Sequence, residues 1–278
     1  MNHLETYAMA RAANVGSAHE LLRLAVNRRT KLINYMSTLG VFSYDVAPDA
    51  GRLVHETTLT DSERHSAAHG YVASKWVAEK IFMRAAERGI PCNVFRLGLV
   101  WADAAEGRYD ELQQVDRFLR SCLLCGHGIE KFSHEMPPTP VDGVVRAVAH
   151  LAGRNPQGGA VFHVAAGEQA TQGWFERCNE LLGTGLKLLP EYEWIQYVKG
   201  MHDAGRSLPV VPLIEYAFTL DRAELAAQRE RRARLRFDCS RTHRELAAAG
   251  LALPPLDDGL LQTCIAGLQR RLRQGTSR

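Results

Sequence analysis

The chain has 278 residues, 46% of them apolar, and a formal net charge of +3; that length can bury a substantial core in one large domain or two modest ones. Acidic and basic residues are matched nearly everywhere, which leaves no electrostatic footprint for nucleic acid. No apolar run reaches membrane-spanning length, and the start MNHLETYAMARAANVG lacks the basic end and apolar stretch of a secretory leader.

In chain order, ETYAMARAANVGSAHELLRLAVNRR carries apolar residues at helical spacing and closes on a basic turn that suits the negative end of a helix. KLINYMSTLGVF follows as a short strand whose apolar run gives way to the hydroxyl pair Ser37 and Thr38. A polar loop, residues 43–70, leads into a patterned helix that is expected to end near Arg88 and Gly89. IPCNVFRLGLVW is a near-continuous apolar run, as expected of a parallel strand covered on both faces. Cys122 and Cys125 form a CxxC with no second pair or matching histidines, so they read as buried small residues at a helix end, and no metal site is expected. The six cysteines, scattered through the chain, read as reduced thiols of a cytoplasmic protein. PTPVDGVVRAVAHLAG predicts a helix capped by Asp142, and GAVFHVAAGE another buried strand, in which His163 is expected to be satisfied within the core. Helix alternating with strand predicts an α/β fold with a Rossmann-like parallel sheet covered by helices on both faces. Beyond about Gly167 the pattern turns helical and irregular, with the proline-broken SLPVVPLIEYAFTL and a basic stretch DRAELAAQRERRARLR. The expected division is a core over 1–166 and a smaller, mainly helical subdomain over 167–278, filled by Trp174 and Trp194.

Within YVASK, Tyr71 and Lys75 stand four residues apart and share a helix face. A phenol with an ordinary pKa near ~10 is a poor acid or base at neutral pH, and a neighbouring ammonium would draw it down. The lysine would also reach the ribose hydroxyls of a nicotinamide cofactor. Thr38, with Ser37 beside it, ends the preceding strand, the edge of such sheets where ligands bind, and would polarise a substrate carbonyl. On spacing alone the pair reads equally as a helix-start aromatic and a solvated lysine.

Four blocks carry a more specific signal: HLETYAMARAANVGSAHELLRLA, YMSTLGVF, YVASKWVAEKIFMRAAERGIPCNVFRLGLV and PVDGVVRAVAHLA. Together with the tail LRFDCSRTHRELAAAGLALPPLDDGLLQTCIAGLQRRL, they resemble, in order, the extended short-chain dehydrogenase/reductases. Within that superfamily they resemble the thioester reductase domains that end nonribosomal peptide and polyketide synthetases and carboxylic acid reductases. The resemblance implies a Thr38–Tyr71–Lys75 triad, NADPH as hydride donor, and a substrate held as an acyl thioester on the phosphopantetheine arm of a carrier protein. It also implies a supporting role for Asn14, and for Leu97, Gly98 and Leu99 a place beside the nicotinamide.

The chain departs from this family in lacking any Gly-x-Gly-x-x-Gly phosphate loop, in having Ser17-Ala18 where Gly-Thr is usual, and in having Leu97 where proline is common. It is therefore expected to be a truncated reductase with an incomplete sheet. The expected activity is reductive release of a carrier-bound thioester as an aldehyde or alcohol. Two other readings stand beside it: an extended dehydrogenase or epimerase acting on a free carbonyl or nucleotide sugar, and a carrier-binding remnant without a cofactor site.

Overall fold

The computed structural model describes residues 6–42, 52–59, 70–110, 113–130, 138–166, 174–183, 185–233 and 235–275. Helix α1 (Tyr7–Arg11) runs through a π-helical turn (Ala12–Gly16) into α2 (Ser17–Val26), then β1 (Ile33–Thr38) and a 3-10 turn (Leu39–Phe42). Next come β2 (Arg52–Val54), α3 (Gly70–Glu87), β3 (Cys92–Leu97), β4 (Val100–Trp101), α4 (Gln114–Cys125), β5 (His127–Ile129) and β6 (Thr139–Pro140). These are followed by α5 (Val141–Arg154), β7 (Val161–Val164), α6 (Trp174–Leu182), β8 (Lys187–Leu189), α7 (Glu191–Asp203) and α8 (Val211–Ile214). The last elements are α9 (Arg222–Ala233), β9 (Leu235–Phe237), α10 (Ser240–Ala247) and α11 (Asp258–Gly275).

The elements expected from the sequence differ from those observed at four points. The first helix is interrupted at Ala12–Gly16 and ends at Val26. The polar loop contains a strand, β2, which pairs in parallel with β9 near the other end of the chain. The long apolar run is two strands, β3 and β4, which belong to different sheets. Asp142 is not a cap: α5 starts from Pro140, and the Asp142 carboxylate instead accepts from Ala104 N at 2.9 Å and from Arg146 at 2.9 Å.

The main sheet is three-stranded and parallel, in the order β1-β3-β7. Side chains alternate across it, so each strand serves both faces. One face packs Ile33 and Cys92 against Ala18 and Ala25 of α2 and Ala78, Phe82 and Ala85 of α3. The other packs Phe95, Phe162 and Val164 against Val144, Ala147 and Leu151 of α5 and Leu246 of α10. Phe95 and Phe162 stack at 5.3 Å between ring centres. Each such side chain, buried completely, contributes roughly 1.5–3 kcal/mol. This apolarity on both faces is why the strands read as continuous runs rather than alternating ones.

A second cluster joins Trp101, α4 and β5 to α6, α7, α8 and α11, with Trp194 fully buried at its centre. The Trp194 indole nitrogen donates to His127 O at 2.9 Å, and its ring stacks on Phe118. The expected halves interleave in this packing. Trp101, Tyr109, Phe118 and Ile129 lie in the later cluster, while Leu235, Phe237, Leu246 and Leu253 return to the sheet side. The Trp174 side chain lies outside the described residues. Among the described residues no helix is long and apolar enough to cross a membrane. All six cysteines are free and buried; Cys125 Sγ donates to the backbone, to His127 O at 3.3 Å.

Candidate active site

Strand β1 ends on two hydroxyls, and the pleat sends them in opposite directions. Ser37, 3% exposed, donates to Glu79 on α3 at 2.6 Å. Thr38 stands at the carboxyl end of the strand, where its Oγ1 accepts from Gly40 N at 3.1 Å. The Tyr71 phenol, on the first turn of α3, comes near enough to the Thr38 hydroxyl for that hydroxyl to favour its phenolate form.

The Tyr71 phenol is held above its ordinary range, because burial outweighs this effect of Thr38. This reverses the expectation that Lys75 draws it down. Lys75 lies one turn further along α3, with Nζ 2.9 Å from Met36 O on β1 and 5.1 Å from the centre of the Tyr35 ring. Burial lowers the pKa of that ammonium. An ammonium has three donors, so the bond to Met36 does not exhaust it. The Tyr35 hydroxyl donates to Lys75 O at 3.4 Å; burial first, then the negative fields of Glu79 and Tyr71, push its pKa up.

Behind this contact lies a buried polar row that sequence reasoning did not find. Ser37, Arg96 and His163 are in register across β1, β3 and β7. Arg96, 0% exposed, pairs with Glu79, 2% exposed, through Nε at 3.0 Å and through Nη2. Its Nη1 donates to Glu56 O and Thr58 O, each at 3.2 Å, and lies 3.3 Å from His163 Nε2. Glu79 sits four residues after Lys75 on the same helix face, and that spacing was the available signal. The pair ties α3 to the sheet and therefore sets the height of its first turn over the strand ends.

The remaining predicted residues are placed as follows. Leu97 is level with Thr38 across the β1–β3 ladder. Gly98 N donates to Val164 O at 3.0 Å, and a Cβ on Gly98 would stand 2.9 Å from the Ala165 methyl, so the close approach needs glycine. Leu99 O accepts from Thr139 N at 2.7 Å, and its side chain packs against the second cluster. Asn14, in the π-helical turn, donates to Ser74 Oγ at 2.9 Å. Ser37 is directed to Glu79, away from the Thr38–Tyr71 contact.

These groups fit one end of a nicotinamide dinucleotide. Tyr71 and Lys75 present a phenol and an ammonium of the kind that bind ribose hydroxyls, and Gly98 leaves the backbone open beside them. The glycine-rich turn that would hold the pyrophosphate is absent from the sequence. Among the described residues no cluster of histidine, cysteine and carboxylate side chains could hold a metal ion.

A family model described as male sterility protein, an NAD-binding domain, matches residues 1–148. An isonitrile lipopeptide synthase from Streptomyces coeruleorubidus is 31% identical over 260 residues, covering 93% of this chain and 17% of the relative. An aldehyde reductase from Aspergillus flavus is 27% identical, covering 98% of this chain and 27% of its own length. The chain thus spans about a fifth of the length of such relatives. Among solved structures, the terminal reductase domain of the myxalamid polyketide–peptide synthetase pathway superposes with a TM-score of 0.81. It is 27% identical, over 98% of this chain and 66% of that domain.

Proposed function

Because the chain belongs to the male sterility protein family, among the thioester reductase domains of the extended short-chain dehydrogenase/reductases, we propose that it performs NADPH-dependent reductive release of a thioester. The substrate in this reading is an acyl or peptidyl chain on the phosphopantetheine arm of a carrier protein, and the product is an aldehyde or the alcohol beyond it. The one observation that carries the reading is the convergence of the Thr38 hydroxyl and the Tyr71 phenol at the carboxyl edge of a parallel sheet, with Lys75 one turn on.

A bound nicotinamide would supply hydride to the thioester carbonyl. The chain's own groups act on the oxygen. Thr38 donates to the carbonyl oxygen and stabilises the negative charge that develops there. Tyr71 gives its proton to that oxygen, which its raised pKa suits: the phenol is fully protonated at neutral pH and acts as the acid. Lys75 holds the ribose and keeps a cation near the phenolate left behind. Collapse of the protonated adduct breaks the carbon–sulfur bond and returns the carrier thiol. Leu97, Gly98 and Leu99 line the nicotinamide face, Asn14 supports α3 from the π-helical turn, and residues 167–278 contribute the acyl-binding wall.

The test is NADPH oxidation with a carrier-loaded thioester, read beside a free aldehyde and a nucleotide sugar. Turnover on the thioester, abolished in Tyr71→Phe with the fold retained, supports the proposal. Turnover retained in Tyr71→Phe, or found only with the sugar, overturns it. A saturable NADPH signal in the purified chain separates these enzyme readings from a remnant without a cofactor site.

A further inference from the structure

The Tyr71 phenol meets Thr38 only if the first turn of α3 is held at the right tilt, and Ser74 sits where that tilt is set. Its side chain is 0% exposed. The Ser74 hydroxyl donates to Tyr71 O, three residues back, at 2.9 Å and accepts from Asn14 Nδ2 at 2.9 Å. A hydroxyl that bonds back to its own helix competes with the regular ladder and bends the turn it engages. The turn engaged here runs from Tyr71 to Lys75.

Asn14 reaches Ser74 from the π-helical turn Ala12–Gly16. Such a turn carries one more residue than an α-helical turn and widens the helix locally, a feature common where a side chain must be re-aimed. Its backbone carbonyl is held by Ser17 Oγ at 3.3 Å, and Val15 beside it is buried. The amide is therefore presented from a packed element. A buried serine could satisfy its hydroxyl within its own helix, so the cross-helix bond to Asn14 adds a fixed external reference for the turn.

We infer that Ser74 is a positioning residue, which, held by Asn14, fixes the carbonyl of Tyr71 and so aims the phenol at Thr38. This goes beyond the proposed reduction, on which its kinetic consequence rests, because Ser74 bonds the backbone carbonyl of Tyr71 and the Asn14 amide. Ser74→Ala and Asn14→Ala each free the turn without removing a group that acts on substrate. A phenol displaced by a fraction of an ångström loses transition-state contact and leaves substrate binding alone.

The experiment labels the tyrosine ζ-carbons with carbon-13 in the full chain and assigns the Tyr71 resonance by its loss in Tyr71→Phe. Thr38→Val then shifts that resonance by removing the hydroxyl beside the phenol. In the Ser74→Ala background the same Thr38→Val shift should fall to less than half. Asn14→Ala, which lies on another element, should reduce it likewise and carries the test if Ser74→Ala does not fold. A Thr38→Val shift undiminished in either background overturns the inference. Kinetically, each single variant should lower kcat about tenfold at unchanged KM, and the double variant no more than either alone, because the two residues act in series. Multiplied losses, or losses carried by KM, also overturn it. Absence of thioester reduction in the wild type would sink the functional reading, while the resonance experiment would still decide the role of Ser74.

Discussion

Acidification should weaken the fold through His163 in a way that one substitution removes. The imidazole is fully buried, its Nδ1 lies 3.0 Å from Asp238 O and its Nε2 lies 3.3 Å from Arg96 Nη1. A carbonyl can only accept and a guanidinium can only donate, so the ring is the Nδ1–H tautomer with a lone pair on Nε2. Protonation would set an N–H against a cation in a fully buried site. Burial first, and Arg96 second, accordingly hold the pKa at about 3, against 6.5 when exposed. The folded value is depressed, so the unfolded chain takes up a proton near pH 6.5 while the native chain refuses it until about pH 3. The stability is complete above pH 6.5 and is lost as pH falls through that window. Each pH unit costs about 1.4 kcal/mol, so the loss between pH 7 and pH 5 is about 2 kcal/mol. The charged and titratable groups around the ring are Arg96, Asp238, His55 and Glu56, and a substitution at position 163 keeps all four. His163→Gln retains a donor for Asp238 O and an acceptor for Arg96 without a titrating centre. Urea unfolding of both proteins at pH 7 and pH 5 should show the wild type losing about 2 kcal/mol more than the variant across that interval. Equal losses, within about 0.5 kcal/mol, would refute the placement of a neutral ring against Arg96.

Glu79→Ala leaves Arg96 charged and unpaired in the interior and should cost about 3–5 kcal/mol in urea unfolding, or a midpoint fall of roughly 6–20 °C; adding Arg96→Met should recover much of that loss. Gly107 has φ +65° and a Cβ there would overlap the backbone carbonyl of Thr263 on α11, whereas Gly89, at φ +85°, faces open space. Gly107→Ala should therefore destabilise by on the order of 3 kcal/mol and Gly89→Ala by only about 1 kcal/mol, compared by thermal unfolding. The six buried thiols, with Cys92 raised to about 11 and Cys264 to about 12 by burial, should resist a disulfide reagent in the native chain and react together once it is unfolded in urea.

Local pattern carried much of this molecule. The apolar runs around Val94 and Phe162 marked strands covered on both faces, since a parallel strand has no wet side to record as polar residues. The i, i+4 spacing of Tyr71 and Lys75 put both on one face of α3 because helical geometry leaves no choice, and the hydroxyl at Thr38 marked the end of β1. Block order along the chain supplied the family.

Features that depend on neighbours along the chain were therefore legible: most of the helices and strands, the helix face bearing the pair, and the strand that ends in Thr38. Tertiary structure alone decided what depends on neighbours in space. It directed Ser37 to Glu79 rather than to the mouth of the sheet, paired β2 with β9, and let burial rather than Lys75 govern the proton affinity of Tyr71. It also assembled Glu79, Arg96 and His163 into one row, and brought Asn14 to Ser74 from sixty positions away. Hydrogen bonds, burial and charge act over a few ångströms with no regard to chain order, so these features leave no period in the sequence from which they could be read.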